Sequence, residues 1–219
     1  MDSIAVLISG SGSNLQALFD AQDAGELGSV HVNLVVSDRA DAYGLQRALK
    51  RGVAAAHVPL PSAPAGTARR AVRAAWEERL ATVVTAFQPD LVVLAGFMRI
   101  LSPIFLQHFP DQVINQHPAL LPADGGETVL TSTGLHIPAL RGAHVVPDAL
   151  RLGLSITGCT VHRVTPRVDD GPILAQAEVP ILPDDDESSL HERIKIAERQ
   201  LIVQVVRELA TSSSPAAQG

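Results

Sequence analysis

A single cysteine among 219 residues leaves Cys159 no partner for an internal disulfide and rules out a multi-thiolate metal site. That scarcity agrees with a reducing compartment, and a cytoplasmic location is expected. Long apolar runs are also missing. The first one, Ile4 to Ile8, has no positive segment before it and is too short for a leader or a membrane span, so no membrane partner is expected. There is no basic excess. The formal net charge is -6, which argues against a general nucleic-acid binder and means that any anion site must be local. Aromatic residues make up 3% and charged residues 18%, against 46% hydrophobic, an Ala/Val/Leu-rich globular composition that excludes a disordered chain.

What is present organises the chain. Its length suits one large α/β domain, expected over 1–210, followed by a Ser/Ala-rich tail over 211–219 that should be disordered. Short β-branched runs at Ile4 to Ile8, Val32 to Val36, Ala55 to Leu60 and Leu91 to Ala95 alternate with helical patterns at Ser13 to Ala24, Asp41 to Arg51 and Thr67 to Phe87. This alternation predicts a doubly wound, mostly parallel sheet of Rossmann-like type. A fifth strand is expected at Gln112 to Gln116, antiparallel additions at Ile156 to Val164 and Ile173 to Ile181, and an amphipathic helix at Glu187 to Leu209.

The run Asn-Gln-His-Pro-Ala-Leu-Leu-Pro at 115–122 sits where the fifth strand ends, the place where open α/β sheets bind ligands. His117 alone reads as a satisfied structural histidine. Asn115 lies two residues away on the same side of the strand, so an amide and an imidazole can address one atom. Asp169 in Val-Asp-Asp-Gly-Pro supplies a carboxylate, although Asp-Gly-Pro is equally a turn signal. Together these groups could polarise a carbonyl, move a proton and hold the base. Ser9 to Asn14 forms a small-residue loop opening the first helix, either a tight turn or a phosphate cradle. It is no P-loop, and Leu15 stands where a dinucleotide fingerprint has its third glycine or alanine. Asp38 could imitate a ribose-binding acid but reads better as a cap, and Arg69, Arg70, Arg73, Glu77, Glu78 and Arg79 read as a solvated helix face. Cys159 reads as a packed strand residue. His136, His144 and His162 lack companions at ligand spacing, so no metal is expected.

The segments 6–17, 95–101, 115–122, 158–162 and 169–176, in that order and spacing, make the chain resemble the folate-dependent phosphoribosylglycinamide formyltransferases, or glycinamide ribonucleotide transformylases, of purine synthesis. The resemblance implies Asn115, His117 and Asp169 as the catalytic set and Gly12, Ser13 and Asn14 as the loop for the substrate phosphate. It also implies Glu198 as a substrate-binding residue, and Met98, Arg99, Ile100, Leu101 and, on a looser alignment, Arg73 as folate contacts. The expected partners are glycinamide ribonucleotide and the co-substrate 10-formyltetrahydrofolate, with a homodimer as the one protein partner entertained. His117 is expected as an imidazolium held by Asp169.

Two departures stand out. Residues 123–141 enlarge a loop that in the family covers the folate, and Asp170 adds a charge expected to raise the pKa of Asp169. The rivals are a dinucleotide dehydrogenase, another 10-formyltetrahydrofolate enzyme, and a catalytically impaired nucleotide- or partner-binding module.

Overall fold

Ile4, Ala5, Val6, Leu7 and Ile8 are all fully buried in β1 (Ser3–Ile8), as a strand covered on both faces requires. The computed structural model describes residues 1–212. The chain groups into two compact units, Met1–Val113 with the chain from Val206 onward, and Ile114–Val205.

In the first unit, β1, β2 (His31–Ser37), β3 (Ala54–His57) and β4 (Leu91–Leu94) pair in parallel, in the order β3-β2-β1-β4. Parallel neighbours need crossovers, and α1 (Ser13–Asp23), α2 (Tyr43–Lys50) and α3 (Thr67–Thr85) supply them. After β1 the chain builds outward through β2 and β3, then returns to the other side of β1 with β4. That reversal is a topological switch point, and it brings together the loops after β1 and β4. Ser9 N–H donates to the Gly96 carbonyl at 3.1 Å across this point.

One expected surface is buried. Glu77 lies with Leu80, Ala81 and Val84 on the inward side of α3, its side chain 1% exposed. Its carboxylate accepts from Ser102 N–H and Oγ–H at 2.9 and 2.6 Å, fixing the start of the short helix α4 (Pro103–Leu106). The charge alternation on α3 conceals this because residue 77 shares the 3.6-residue period of the apolar positions.

In the second unit β5 (Val113–His117), from Ile114 on, pairs antiparallel with β8 (Ile156–Arg163), which pairs antiparallel with β9 (Ile173–Pro180). Residues 123–141, expected as an enlarged loop, contain a hairpin of β6 (Thr128–Leu130) and β7 (His136–Pro138). Val129 and Ile137 bury against Leu120, with Ala139, Leu154 and Ile156 packed around them, so one apolar face holds the insertion down. The helix α5 (Val145–Arg151) follows. The last helix, α6 (Glu187–Ser212), runs past the expected end at Leu209, and the remainder of the Ser/Ala-rich tail lies outside the described residues. No helix among the described residues is long and apolar enough to cross a membrane.

Candidate active site

β5 and β8 set the geometry of the second unit's polar centre. Their register places Asn115 opposite His162 and His117 opposite Thr160. Asn115 Nδ2 donates to His162 Nε2 at 3.2 Å. The other ring nitrogen of His162, Nδ1, lies 2.9 Å from the Arg163 carbonyl, which can only accept, so the ring hydrogen belongs on Nδ1 and Nε2 is left to receive the amide. Sequence spacing left His162 out of the site. The antiparallel register that delivers it connects residues 47 apart in the chain.

Asp169 comes from the turn between β8 and β9 with φ at 51°, a left-handed backbone that aspartate tolerates better than most residues. Its Oδ2 lies 3.5 Å from His117 Nδ1, its Oδ1 lies 3.7 Å from His162 Nε2, and it accepts from Gly142 N–H at 2.9 Å. His117 Nε2 donates to the Leu140 carbonyl at 2.8 Å, so the end of the inserted segment touches both His117 and Asp169. The structure therefore brings Asn115, His117 and Asp169 together, adds His162, and closes the group with residues 140–142.

The electrostatics differ from expectation in two respects. Burial drives the His117 pKa below the ordinary imidazole value, outweighing the Asp169 charge and the Leu140 hydrogen bond that raise it, so the resting ring is neutral rather than an imidazolium. Burial also pushes Asp169 up, but the two imidazoles beside it, His162 and His117, and the Gly142 N–H outweigh it, and its carboxyl sits below the usual range. Asp170 does not raise it. That side chain instead pairs with Arg167 at 3.1 Å.

Both shifts act in one direction on stability. A group whose pKa is lower folded than unfolded binds more protons unfolded, so acidification destabilises the fold. For His117 the loss begins as the pH falls through about 6.5, its ordinary value. His191, also lowered chiefly by burial, adds to it. Urea unfolding at neutral and mildly acidic pH is expected to show wild-type stability falling on acidification, and falling less in His117→Asn.

The loops of the first unit carry the other expected residues. Gly12 is left-handed (φ 69°) at the start of α1, where no side chain caps the first turn, so the N–H groups there remain open to an anion. Asn14 is buried, with Oδ1 lacking a hydrogen-bond partner. Asp38 is a connector, not a turn cap or a ribose acid. One oxygen accepts from Ser9 Oγ at 2.6 Å and the other from Arg99 Nε at 2.6 Å, while Met98 N–H donates to Ser9 Oγ at 2.8 Å. This network holds the segment 98–101. Met98 and Ile100 project outward, whereas Leu101 is buried in the core. Arg73 donates to Glu77 and to the Ile100 carbonyl. Arg69, Arg73 and Arg99 line a cavity of about 370 Å³ with Leu60, Pro61 and Val72, a basic site with apolar walls. Glu198 is buried on α6 in the second unit. Cys159 is no nucleophile. Burial, and then the charge of Glu198, push its thiol up to about 12.

The first unit carries an uncapped glycine loop at a sheet switch point and a basic cavity, and the second a buried amide–imidazole–carboxylate set, groups of the kind that group-transfer enzymes of the α/β class use. Residues 2–206 match the family described as Formyl transferase. The chain is 42% identical over 208 residues to the phosphoribosylglycinamide formyltransferase of Mycobacterium tuberculosis, covering 95% of this chain and 85% of that one. It is 37% identical to the Escherichia coli protein of the same name, covering 93% and 85%. Among solved structures, glycinamide ribonucleotide transformylase 1 from Symbiobacterium toebii superposes with a TM-score of 0.80 at 40% identity, covering 97% of this chain and 89% of that one. The chain belongs to the formyl transferase family.

Proposed function

We propose that the chain transfers the formyl group of 10-formyltetrahydrofolate to the amine of glycinamide ribonucleotide, with Asn115, His117 and Asp169 as its catalytic residues. The observation that carries the assignment of roles is the buried cluster on β5, β8 and the turn after β8, within a chain that matches formyltransferases over most of its length.

The amine lone pair attacks the formyl carbon, forming a new C–N bond and an oxyanion. The bond from that carbon to the folate nitrogen then breaks, and the proton lost by the amine ends on that nitrogen. Asn115 has one amide hydrogen committed to His162, leaving the second to face the oxyanion. His117 begins neutral. Because Leu140 can only accept, the resting hydrogen is on Nε2, and the base is Nδ1, next to Asp169. Taking the amine's proton there creates an imidazolium–carboxylate pair beside the developing negative charge, and Asp169, ionised at neutral pH, holds it until the proton is returned. The Gly12–Asn14 loop receives the substrate phosphate on its N–H groups, and Glu198 contacts the substrate. The folate is taken by Met98, Arg99, Ile100 and Arg73, with Leu101 supporting them from the core.

Formyl transfer followed by the change in folate absorbance tests this reading, with His117→Ala as the paired variant. Turnover in the wild type that is largely lost in a folded His117→Ala is the expected outcome. A folded wild type without transfer to glycinamide ribonucleotide would overturn it.

A further inference from the structure

We infer that Arg47 on α2 is the positioning residue of the phosphate loop and, through its remaining nitrogen, a charge for the phosphate itself. The inference rests on the assignment of Gly12–Asn14 to a phosphorylated substrate and extends it to a residue outside the loop.

The loop does not hold its shape by itself. Gly12 is left-handed, and a Cβ there would come within 2.8 Å of Gly44 Cα, so α2 packs directly against it. Gly44 N–H donates to the Gly10 carbonyl at 3.1 Å, securing the loop's first half. Arg47, almost one turn further along α2, secures the second. Its Nε donates to the Ser11 carbonyl at 2.9 Å and its Nη1 to Gln16 Oε1 at 2.8 Å, so one planar group bridges the residue before Gly12 and the first turn of α1. The guanidinium also lies 4.9 Å from the centroid of the Tyr43 ring, which fixes its plane.

The electrostatic consequence concerns Ser11. A carbonyl dipole in an anion-binding loop repels a phosphate if it turns inward. A guanidinium that claims the Ser11 oxygen turns the dipole away and leaves the N–H groups of 12–14 to face the ligand. Arg47 Nη2 makes no hydrogen bond among the described residues and carries part of the delocalised charge. Lysine cannot reproduce this arrangement, because a single ammonium lacks the fork that reaches two acceptors at fixed spacing.

The test compares two ligands that differ only in the phosphate, glycinamide ribonucleotide and its dephosphorylated riboside, across wild type, Arg47→Ala, Arg47→Lys and Arg51→Ala. Arg51, four residues further on at the C-terminal end of α2, pairs with Asp23 at 2.7 Å and serves as the control for general damage there. Arg47→Ala is expected to raise KM for the ribonucleotide about ten-fold or more, with kcat within about two-fold, as for loss of binding equal in ground and transition states. Its affinity for the riboside should match wild type, Arg47→Lys should recover only part of the loss, and Arg51→Ala should leave KM unchanged. Equal weakening toward both ligands, full recovery by lysine, or an unchanged KM in Arg47→Ala would each overturn the inference. A wild type that neither binds nor turns over glycinamide ribonucleotide would instead remove the functional reading beneath it.

Discussion

Asn115→Ala is expected to lower kcat by about 10²–10³-fold, the usual consequence of deleting one donor to a developing oxyanion, about 3–4 kcal/mol of barrier. The ground-state substrates gain little from that donor, so KM should move far less than kcat. A second consequence is local. His162 Nε2 loses the amide that now meets it at 3.2 Å and is left with Asp169 Oδ1, 3.7 Å away, as its polar neighbour. Asn115→Asp should be no better than alanine although it keeps the shape, because it replaces the donor with a second carboxylate near Asp169. Steady-state kinetics, read beside a thermal unfolding curve that confirms a folded variant, checks both. Turnover near wild type in Asn115→Ala would remove the amide from the oxyanion role.

Gly171→Ala is expected to be the most damaging single-methyl change in the site region. A Cβ at 171 would fall well inside van der Waals contact of the Arg163 backbone carbonyl and 3.1 Å from Thr165 Cγ2. The obstruction is backbone, which cannot rotate away as a side chain does. Arg163 N–H donates to the Pro172 carbonyl at 2.9 Å, so the two segments are tied where the methyl would enter. Overpacking of this kind costs about 1–3 kcal/mol or more, and the turn that would yield is the one holding Asp169 in its left-handed conformation. Lower urea and thermal midpoints are therefore expected together with a fall in kcat. An alanine variant with wild-type midpoint and turnover would mean that the turn has slack the packing does not show.

Much of the fold was legible because it depends on short-range periodicity. The strand at Ile4 to Ile8, the helix beginning at Thr67 and the antiparallel additions near Ile156 and Ile173 all lie where apolar spacing and Gly/Pro punctuation place them. The hairpin in 123–141 was missed because each of its strands has three residues, too few for an alternating pattern to stand out, and its two buried residues, Val129 and Ile137, pack against Leu120 and Ile156 outside it. Asp38 and Glu77 were misread for a related reason. A carboxylate's environment is set by partners far along the chain, Arg99 for the first and Ser102 for the second.

By itself the sequence determined the α/β class, the small-residue loop before the first helix, and the placing of Asn115 and His117 on one side of a strand end. Each follows from the geometry of a few consecutive residues, which backbone sterics fix locally. The tertiary structure alone decided that His162 completes the group, that His117 rests neutral, that the carboxyl of Asp169 is lowered despite Asp170, and that Arg47 reaches back to the Ser11 carbonyl. Protonation and hydrogen bonding depend on burial and on which dipoles face a group, and those are products of strand register and packing between distant segments.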